Sequence, residues 1–287
     1  MDNFRRRSKF FTLHFSLFTF LLYLCTQMDY TINVQGRLLD LAEPLVMGIL
    51  NVTPDSFYAG SRQQTEREIA ERASQIVAEG GAIIDIGGCS TRPGAQAVTE
   101  AEEMERLRFG LEVVRREQPD SIISVDTFRP DVARMAVEEY GAGIVNDVSE
   151  GDSSMFRMVS NLRVPYILMS QQPTIREMLL KFAEKVQQLR DLGAKDIILD
   201  PGFGFGKTLE ENYQVMNELE KLQVMELPLL VGVSRKSMIY KLFGVTPQES
   251  LNGTTALNTI ALMKGASILR VHDVREAVEC VRIVGRV

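Results

Sequence analysis

The chain holds 287 residues, 45% apolar and 24% charged, which is ample for a buried core and excludes the disordered class. Lys plus Arg total 32 against 38 for Asp plus Glu, a net charge of −6, so a nucleic-acid binder with a basic face is excluded and any bound anion must meet a local cluster. Three scattered cysteines (Cys25, Cys89, Cys280) argue against a disulfide framework and a thiolate zinc site, and two histidines (His14, His272) are too few for a site of several imidazoles.

In chain order, residues 1–27 stand apart: Arg5, Arg6, Arg7 and Lys9 precede an apolar run from Phe10 to Cys25. The run has the length of a secretory h-region and is short for a bilayer span. It reads as a non-barrel leader or as a start set too far upstream of Met28. Membrane contact is expected only if it is retained, and the remainder, 28–287, is expected to be one cytoplasmic catalytic domain with Cys89 and Cys280 as free thiols. Tyr30–Leu41 alternates in polarity and reads as a β-hairpin turning near Gln35-Gly36-Arg37.

From there short apolar runs alternate with longer amphipathic ones. The runs are Leu45–Leu50, Ala82–Ile86, Ile122–Val125, Gly143–Val145, Tyr166–Met169, Ile197–Leu199, Leu229–Val233 and Ser267–Val271. Nearly continuous apolar character suits parallel strands covered on both faces. Helical patterns fall at Thr65–Glu79, Thr99–Glu117, Pro130–Tyr140, Arg176–Leu192 and Thr208–Leu222, and Thr246-Pro247-Gln248-Glu249 carries a helix-opening signature. Strand ends recur at roughly 31 residues, the spacing of a (β/α)₈ TIM barrel. An open doubly wound sheet lacks its Gly-rich first turn here.

In such a barrel the site lies just past the carboxyl ends of the strands. Those ends read Asn51, Ser90-Thr91-Arg92-Pro93, Asp126, Asn146-Asp147, Asp200, Ser234-Arg235-Lys236-Ser237, and Arg270 with His272. One such residue is often only a helix cap. A polar group at almost every strand end is a site. Arg92, Lys236, Arg270 and His272 can meet a diphosphate, with Asn51 as an oxygen ligand for Mg²⁺. Asp126, Asn146 and Asp200 can read a flat heterocycle such as an amino-pyrimidinone.

Three positions read two ways. Pro201–Thr208 ends like a phosphate-binding loop, but Pro201 stands where the first glycine belongs; its glycines suit close approach to a ligand, with Phe205 as an apolar wall, and Lys207 reads as a solvated loop charge as readily as a functional one. Lys236 could form a Schiff base, although anion binding is the better reading of a lysine where a helix opens. Cys89 reads as a packing residue rather than a nucleophile, for want of an activating histidine.

The motifs GILNVTPDSF (Gly48–Phe57), DIGG-x-STRPGA (Asp85–Ala95), SVDT (Ser124–Thr127), NDVS (Asn146–Ser149), LDPGFGFGK (Leu199–Lys207), SRKS (Ser234–Ser237) and RVHDV (Arg270–Val274) stand in one order. In this the chain resembles the dihydropteroate synthase family over about residues 30–285. The resemblance implies a homodimeric, sulfonamide-targeted transferase of folate synthesis that joins a dihydropterin methyl diphosphate to p-aminobenzoate and releases diphosphate. Carried over position by position, pterin contacts fall on Asp126, Asn146, Asp200 and Lys236, with Asp126, Asp200 and Lys236 as the catalytic set. Mg²⁺-diphosphate contacts fall on Asn51, Arg92, Arg270 and His272, and p-aminobenzoate contacts on Thr91, Pro93, Phe205 and Ser237. A pterin-dependent methyltransfer barrel would share the Asp and Asn contacts without needing Arg92, Arg270 and His272, and a non-catalytic pterin-binding paralogue is the other alternative. Two positions depart from the family pattern: Ala59, where an aspartate is usual, and Ser170-Gln171-Gln172-Pro173, where the family has MH and an Arg-Gly segment.

Overall fold

The computed structural model describes residues 30–52, 62–89 and 98–287. The choice between a leader and a start at Met28, together with Ala59, falls outside the described residues. Strands β1 (Thr31–Val34) and β2 (Arg37–Asp40) form an antiparallel hairpin. Its turn is Gln35-Gly36, both at positive φ (54° and 83°), the backbone of a tight two-residue hairpin loop. The expected hairpin is present.

Eight parallel strands follow: β3 (Leu45–Asn51), β4 (Ile83–Gly87), β5 (Ile122–Asp126), β6 (Ile144–Asp147), β7 (Tyr166–Met169), β8 (Ile197–Asp200), β9 (Leu230–Val231) and β10 (Ile268–Val271). They pair in the order β8-β7-β6-β5-β4-β3-β10-β9, and a parallel bridge from Leu199 to Leu229 joins the two ends. The barrel is thereby closed. β9 is shorter than the expected Leu229–Val233 because the chain already turns at Val233, where the Lys236 amide donates to the Val233 carbonyl and Arg235 takes φ 55°.

Helices α1 (Arg62–Ala78), α2 (Glu100–Glu117), α3 (Pro130–Tyr140), α4 (Ser153–Leu162), α5 (Ile175–Asp191), α6 (Leu209–Asn217), α7 (Ser237–Phe243), α8 (Leu251–Met263) and α9 (Val274–Val284) connect or follow the strands. Their ends follow from local chemistry. Thr99 and Glu102 make a reciprocal capping box on α2, and α3 begins at Pro130 and stops at the left-handed Gly141. The expected helix Thr208–Leu222 is instead α6 followed by a 3₁₀ turn, Leu219–Met225, because Glu218 leaves helical geometry at φ −109°, ψ 10°. Thr246–Glu249 likewise opens a single 3₁₀ turn. Among the described residues no helix is long and apolar enough to cross a membrane.

The strand period of two puts alternate residues inside the barrel. Met47, Ile83, Ile144, Ile167, Ile198, Leu230 and Ile268 fill the lower interior, and Ile32, Val34 and Leu41 of the hairpin cover it from below. Two residues further along, the same inward faces turn polar: Ile83 gives way to Asp85, Ile122 to Ser124, Ile144 to Asn146, Ile198 to Asp200 and Ile268 to Arg270. An apolar floor therefore lies under a charged layer at the carboxyl end.

Candidate active site

That charged layer is one connected network. Arg270 of β10 donates from Nε to Asp85 Oδ2 at 2.6 Å and from Nη2 to Asp126 Oδ2 at 2.5 Å, so one guanidinium bridges two carboxylates. Asn146 donates to the same Asp85 oxygen at 3.1 Å. Asp85 is wholly buried and Asn146 nearly so. The buried atoms Asp85 Oδ1, Ser124 Oγ and Asn146 Oδ1 have no protein partner, which leaves unspent hydrogen-bonding capacity in the barrel mouth.

Burial pushes the Asp126 carboxyl up to about 7; Arg270 pulls it down, and the Asp85 charge adds to the push. Burial works against the Arg270 charge too, but Asp85 and Asp126 outweigh it and hold the guanidinium protonated. Across the mouth, Asp200 ends β8 and accepts the Gly202 amide at 2.7 Å. Burial raises its carboxyl, opposed first by Lys236 and then by that amide. Lys236 donates to the Phe203 carbonyl, stands 4.7 Å over the Phe205 ring, and is brought down by burial to about 8. Asp200 and Arg270 thus share one end of the barrel.

His272 follows β10. Its Nδ1 lies 3.2 Å from Ser234 Oγ, which also accepts the His272 amide at 3.1 Å. Arg72 of α1 holds the β3 and β10 ends together by donating to the carbonyls of Ile49 (3.2 Å) and His272 (2.6 Å). Arg235 forms a two-pronged ion pair with Asp273. Asn51 lies exposed at the end of β3 beside Gly87, and Ser237 opens α7, half-buried.

Of the sequence-derived residues, the structure brings Asp126, Asn146 and Arg270 into one network and sets Asp200, Lys236 and Phe205 together beside it. Lys236 lies beside Asp200, with Arg270 and Lys207 also near enough to act on its charge. Thr91, Arg92 and Pro93 lie outside the described residues. Asp147 is not a mouth residue: its carboxylate accepts Tyr166 Oη at 2.7 Å and Ser149 Oγ at 2.6 Å in the packing behind the sheet, because it is one residue out of phase with Asn146. Lys207 is not solvated, since its ammonium donates to three backbone carbonyls. Burial raises the half-buried Cys89 thiol, leaving it unactivated. The residue that sequence reasoning missed is Asp85. Its signal was a lone carboxylate inside the apolar run Ala82–Ile86, in phase with the inward face.

Among the described residues no three His, Cys, Asp or Glu side chains gather to hold a metal. With Asn51 offering one neutral oxygen, this donor set does not suit a tightly caged resident ion. It fits Mg²⁺ arriving with a diphosphate, because that ion keeps several waters and relies on substrate phosphate for ligands.

The model of the pterin binding enzyme family matches residues 47–272. Dihydropteroate synthase of Escherichia coli K12 is 41% identical over 266 residues, spanning 87% of this chain and 94% of the relative; that of Bacillus subtilis 168 is 40% identical over 242 residues, 81% and 84% of the two chains. The Xanthomonas albilineans dihydropteroate synthase with 4-aminobenzoic acid superposes with a TM-score of 0.83 at 35% identity, covering 90% of this chain and 98% of that one. The same enzyme with 7,8-dihydropteroate gives 0.80 at 34%, again over 90% and 98%. The chain belongs to the pterin-binding enzyme family, within its dihydropteroate synthases.

Proposed function

We propose that this chain condenses a dihydropterin methyl diphosphate with p-aminobenzoate, releasing diphosphate, in the barrel mouth built from Asp126, Asn146, Asp200, Lys236 and Arg270. The observation that carries this reading is the ring of buried acceptors and unpartnered polar atoms above an apolar floor. A pterin presents flat faces with several N–H donors and a carbonyl, and Asp200, Asn146 and Lys236 offer the complementary acceptors and donors.

As the bond to the diphosphate lengthens, positive charge grows on the pterin methylene. Asp126 and Asp200 stabilise it from the protein side. The leaving group collects charge where Arg270 and His272 lie, and Arg92 is assigned to the same task. Asn51 would hold Mg²⁺, which when bound offsets charge on the departing oxygen. Phe205 and Ser237, with Thr91 and Pro93, are assigned to p-aminobenzoate, whose amine then attacks the methylene. No covalent bond to Lys236 is required. Sulfonamide analogues of p-aminobenzoate are expected to compete there, as a sulfonamide occupies the related Yersinia pestis enzyme, 38% identical with a TM-score of 0.82 over 90% of this chain and 98% of that one.

We further propose a cytoplasmic homodimer. Cys89 and Cys280 form no disulfide among the described residues, which suits a reducing compartment. Leu242 and Phe243 of α7, Ile260 and Met263 of α8 and Ile283 of α9 are exposed apolar side chains on consecutive helices, which supports a partner surface there. The test of the activity is direct. Purified protein given both substrates and Mg²⁺ should form dihydropteroate, and Asp200→Asn should lower kcat/KM by about a hundredfold or more while leaving the melting temperature close to that of the parent. Absence of product from the parent protein, or an Asp200→Asn variant as active as the parent, overturns the assignment.

A further inference from the structure

The loop after β8 carries Phe205, and Lys207 holds that loop in place. The ammonium reaches the carbonyls of Gly202 (3.0 Å), Ser170 (3.1 Å) and Phe205 (3.2 Å). An ammonium has three N–H donors, and each has an acceptor here. Two acceptors lie in the β8 loop and the third just follows β7, so the contact ties two neighbouring strand-end loops through one charge. The backbone needs such a tie: Gly202, Gly204 and Gly206 all take positive φ (64°, 78° and 63°), in a stretch without regular ladder bonds.

The loop is seated from other directions as well. The Gly204 amide donates to Asn212 Oδ1 at 2.7 Å. On the far side, Glu150 Oε1 accepts the Gln171 amide at 2.7 Å and Gln172 Nε2 at 3.2 Å. The ends of β6, β7 and β8 are therefore linked in series, from Glu150 through Ser170-Gln171-Gln172 to Lys207. This series includes the segment that departs from the family pattern, so the chain's own glutamines join the tie.

We propose that Lys207 is a positioning residue for p-aminobenzoate: by gripping Ser170, Gly202 and Phe205 it sets the place of the Phe205 wall relative to Asp200. The inference rests on the assignment of Phe205 to p-aminobenzoate made above. Burial lowers the ammonium to about 8, yet its partners are carbonyl oxygens at ion–dipole distance; the Gly202 carbonyl also accepts the Phe205 amide at 3.1 Å, so removal of the side chain takes the donor from the Ser170 and Phe205 carbonyls and leaves the Gly202 carbonyl only its loop contact. The loop must then shift to rehydrate them. Such a shift moves the wall while the pterin acceptors Asn146 and Asp126 stay on β6 and β5; Asp200, fixed by β8, meets the loop through the Gly202 amide.

The test is steady-state kinetics of Lys207→Met and Lys207→Ala with both substrates varied, alongside the parent protein and a thermal melt of each variant. The expected result is a rise of about tenfold in KM for p-aminobenzoate with KM for the pterin diphosphate within about threefold of the parent. In Lys207→Ala, n-propylammonium replaces the missing atoms and should restore several-fold of the lost affinity; tetramethylammonium, which has no N–H, should not. Should these variants fail to accumulate, Lys207→Gln keeps two donors without the charge and should show the same selective rise. Unchanged KM values, or equal rises for both substrates without a propylammonium response, overturn the proposal. A parent protein that makes no product refutes the assignment of function instead, so the two failures are separable.

Discussion

Replacing Asp85 by Asn probes the bridge at the heart of the site, because Asp85 and Asp126 compete for one guanidinium. Asp85 accepts from both Arg270 and Asn146, so the variant keeps the shape but exchanges a charge-assisted bond for a neutral one, at a cost of about 1–2 kcal/mol. The same change removes a like charge that pushes Asp126 up and leaves Arg270 to pair with Asp126 alone. The Asp126 titration must therefore fall. In the parent its folded value of about 7 stands about three units above the ordinary 3.8. The folded state then binds more protons than the unfolded state between those values, and stability declines as pH rises from about 4 to about 7, by at most about 4 kcal/mol. In Asp85→Asn that decline should shrink. The acid limb of kcat/KM, which reports ionisation of Asp126, should move to lower pH. Urea unfolding at a series of pH values and a pH–rate profile measure both. An acid limb that stays in place or moves upward would refute the reasoning that the two carboxylates share Arg270.

Three further outcomes are expected. Tyr166→Phe leaves the wholly buried Asp147 without its 2.7 Å phenolic donor and should cost about 1.5–3 kcal/mol in chemical denaturation, with kcat/KM nearly unchanged because Asp147 lies behind the sheet. Chelation of divalent cations should depress product formation but leave the melting temperature of the substrate-free protein in place, as no cluster of metal ligands contributes to folding among the described residues. Phe243→Asp places a charge on the exposed apolar face of α7 and, for the proposed dimer, should shift the population toward monomer in sedimentation velocity.

The barrel was legible because parallel strands covered on both faces leave unbroken apolar runs, and six of the eight expected strands differ from the observed ones by at most one residue at either end. Where reading and structure part, the reason is local geometry. Leu229–Val233 reads as a full strand from its apolar character, but hydrophobicity says nothing of the left-handed Arg235 that ends the ladder early. Asp126, Asn146 and Asp200 were legible as polar interruptions at strand ends. Asp85 was not, because a carboxylate inside an apolar run is invisible to a rule that inspects only ends. Asp147 was over-read by the same rule, since composition does not tell which neighbour points inward. The grip of Lys207 depends on carbonyls of two separate loops, and backbone acceptors carry no side-chain signature at all.

Sequence divided the site into a basic half for diphosphate and an acidic half for the ring, but the geometry joins them. Arg270, from the basic half, is already committed to Asp85 and Asp126, and Lys236 lies with Asp200. Asp85, Asp126 and Asp200 face Arg270, Lys236 and Lys207 in equal number, so the described mouth is close to neutral. A dihydropterin ring enters such a site at little electrostatic cost, whereas a diphosphate finds its charge only partly met there, because Arg270 is shared with Asp85 and Asp126. In the proposed reaction Arg270, already shared, is joined there by His272, by Arg92 and by a cation brought with the substrate, which is the physical reason to propose Mg²⁺. The same neutrality bears on rate. A carboxylate that owned a guanidinium would already be fully paired before reaction began. Asp126 shares its partner, and in the proposed reaction its interaction with the methylene would strengthen only as positive charge develops there. Stabilisation that appears in the transition state and not in the ground state raises kcat rather than merely tightening binding.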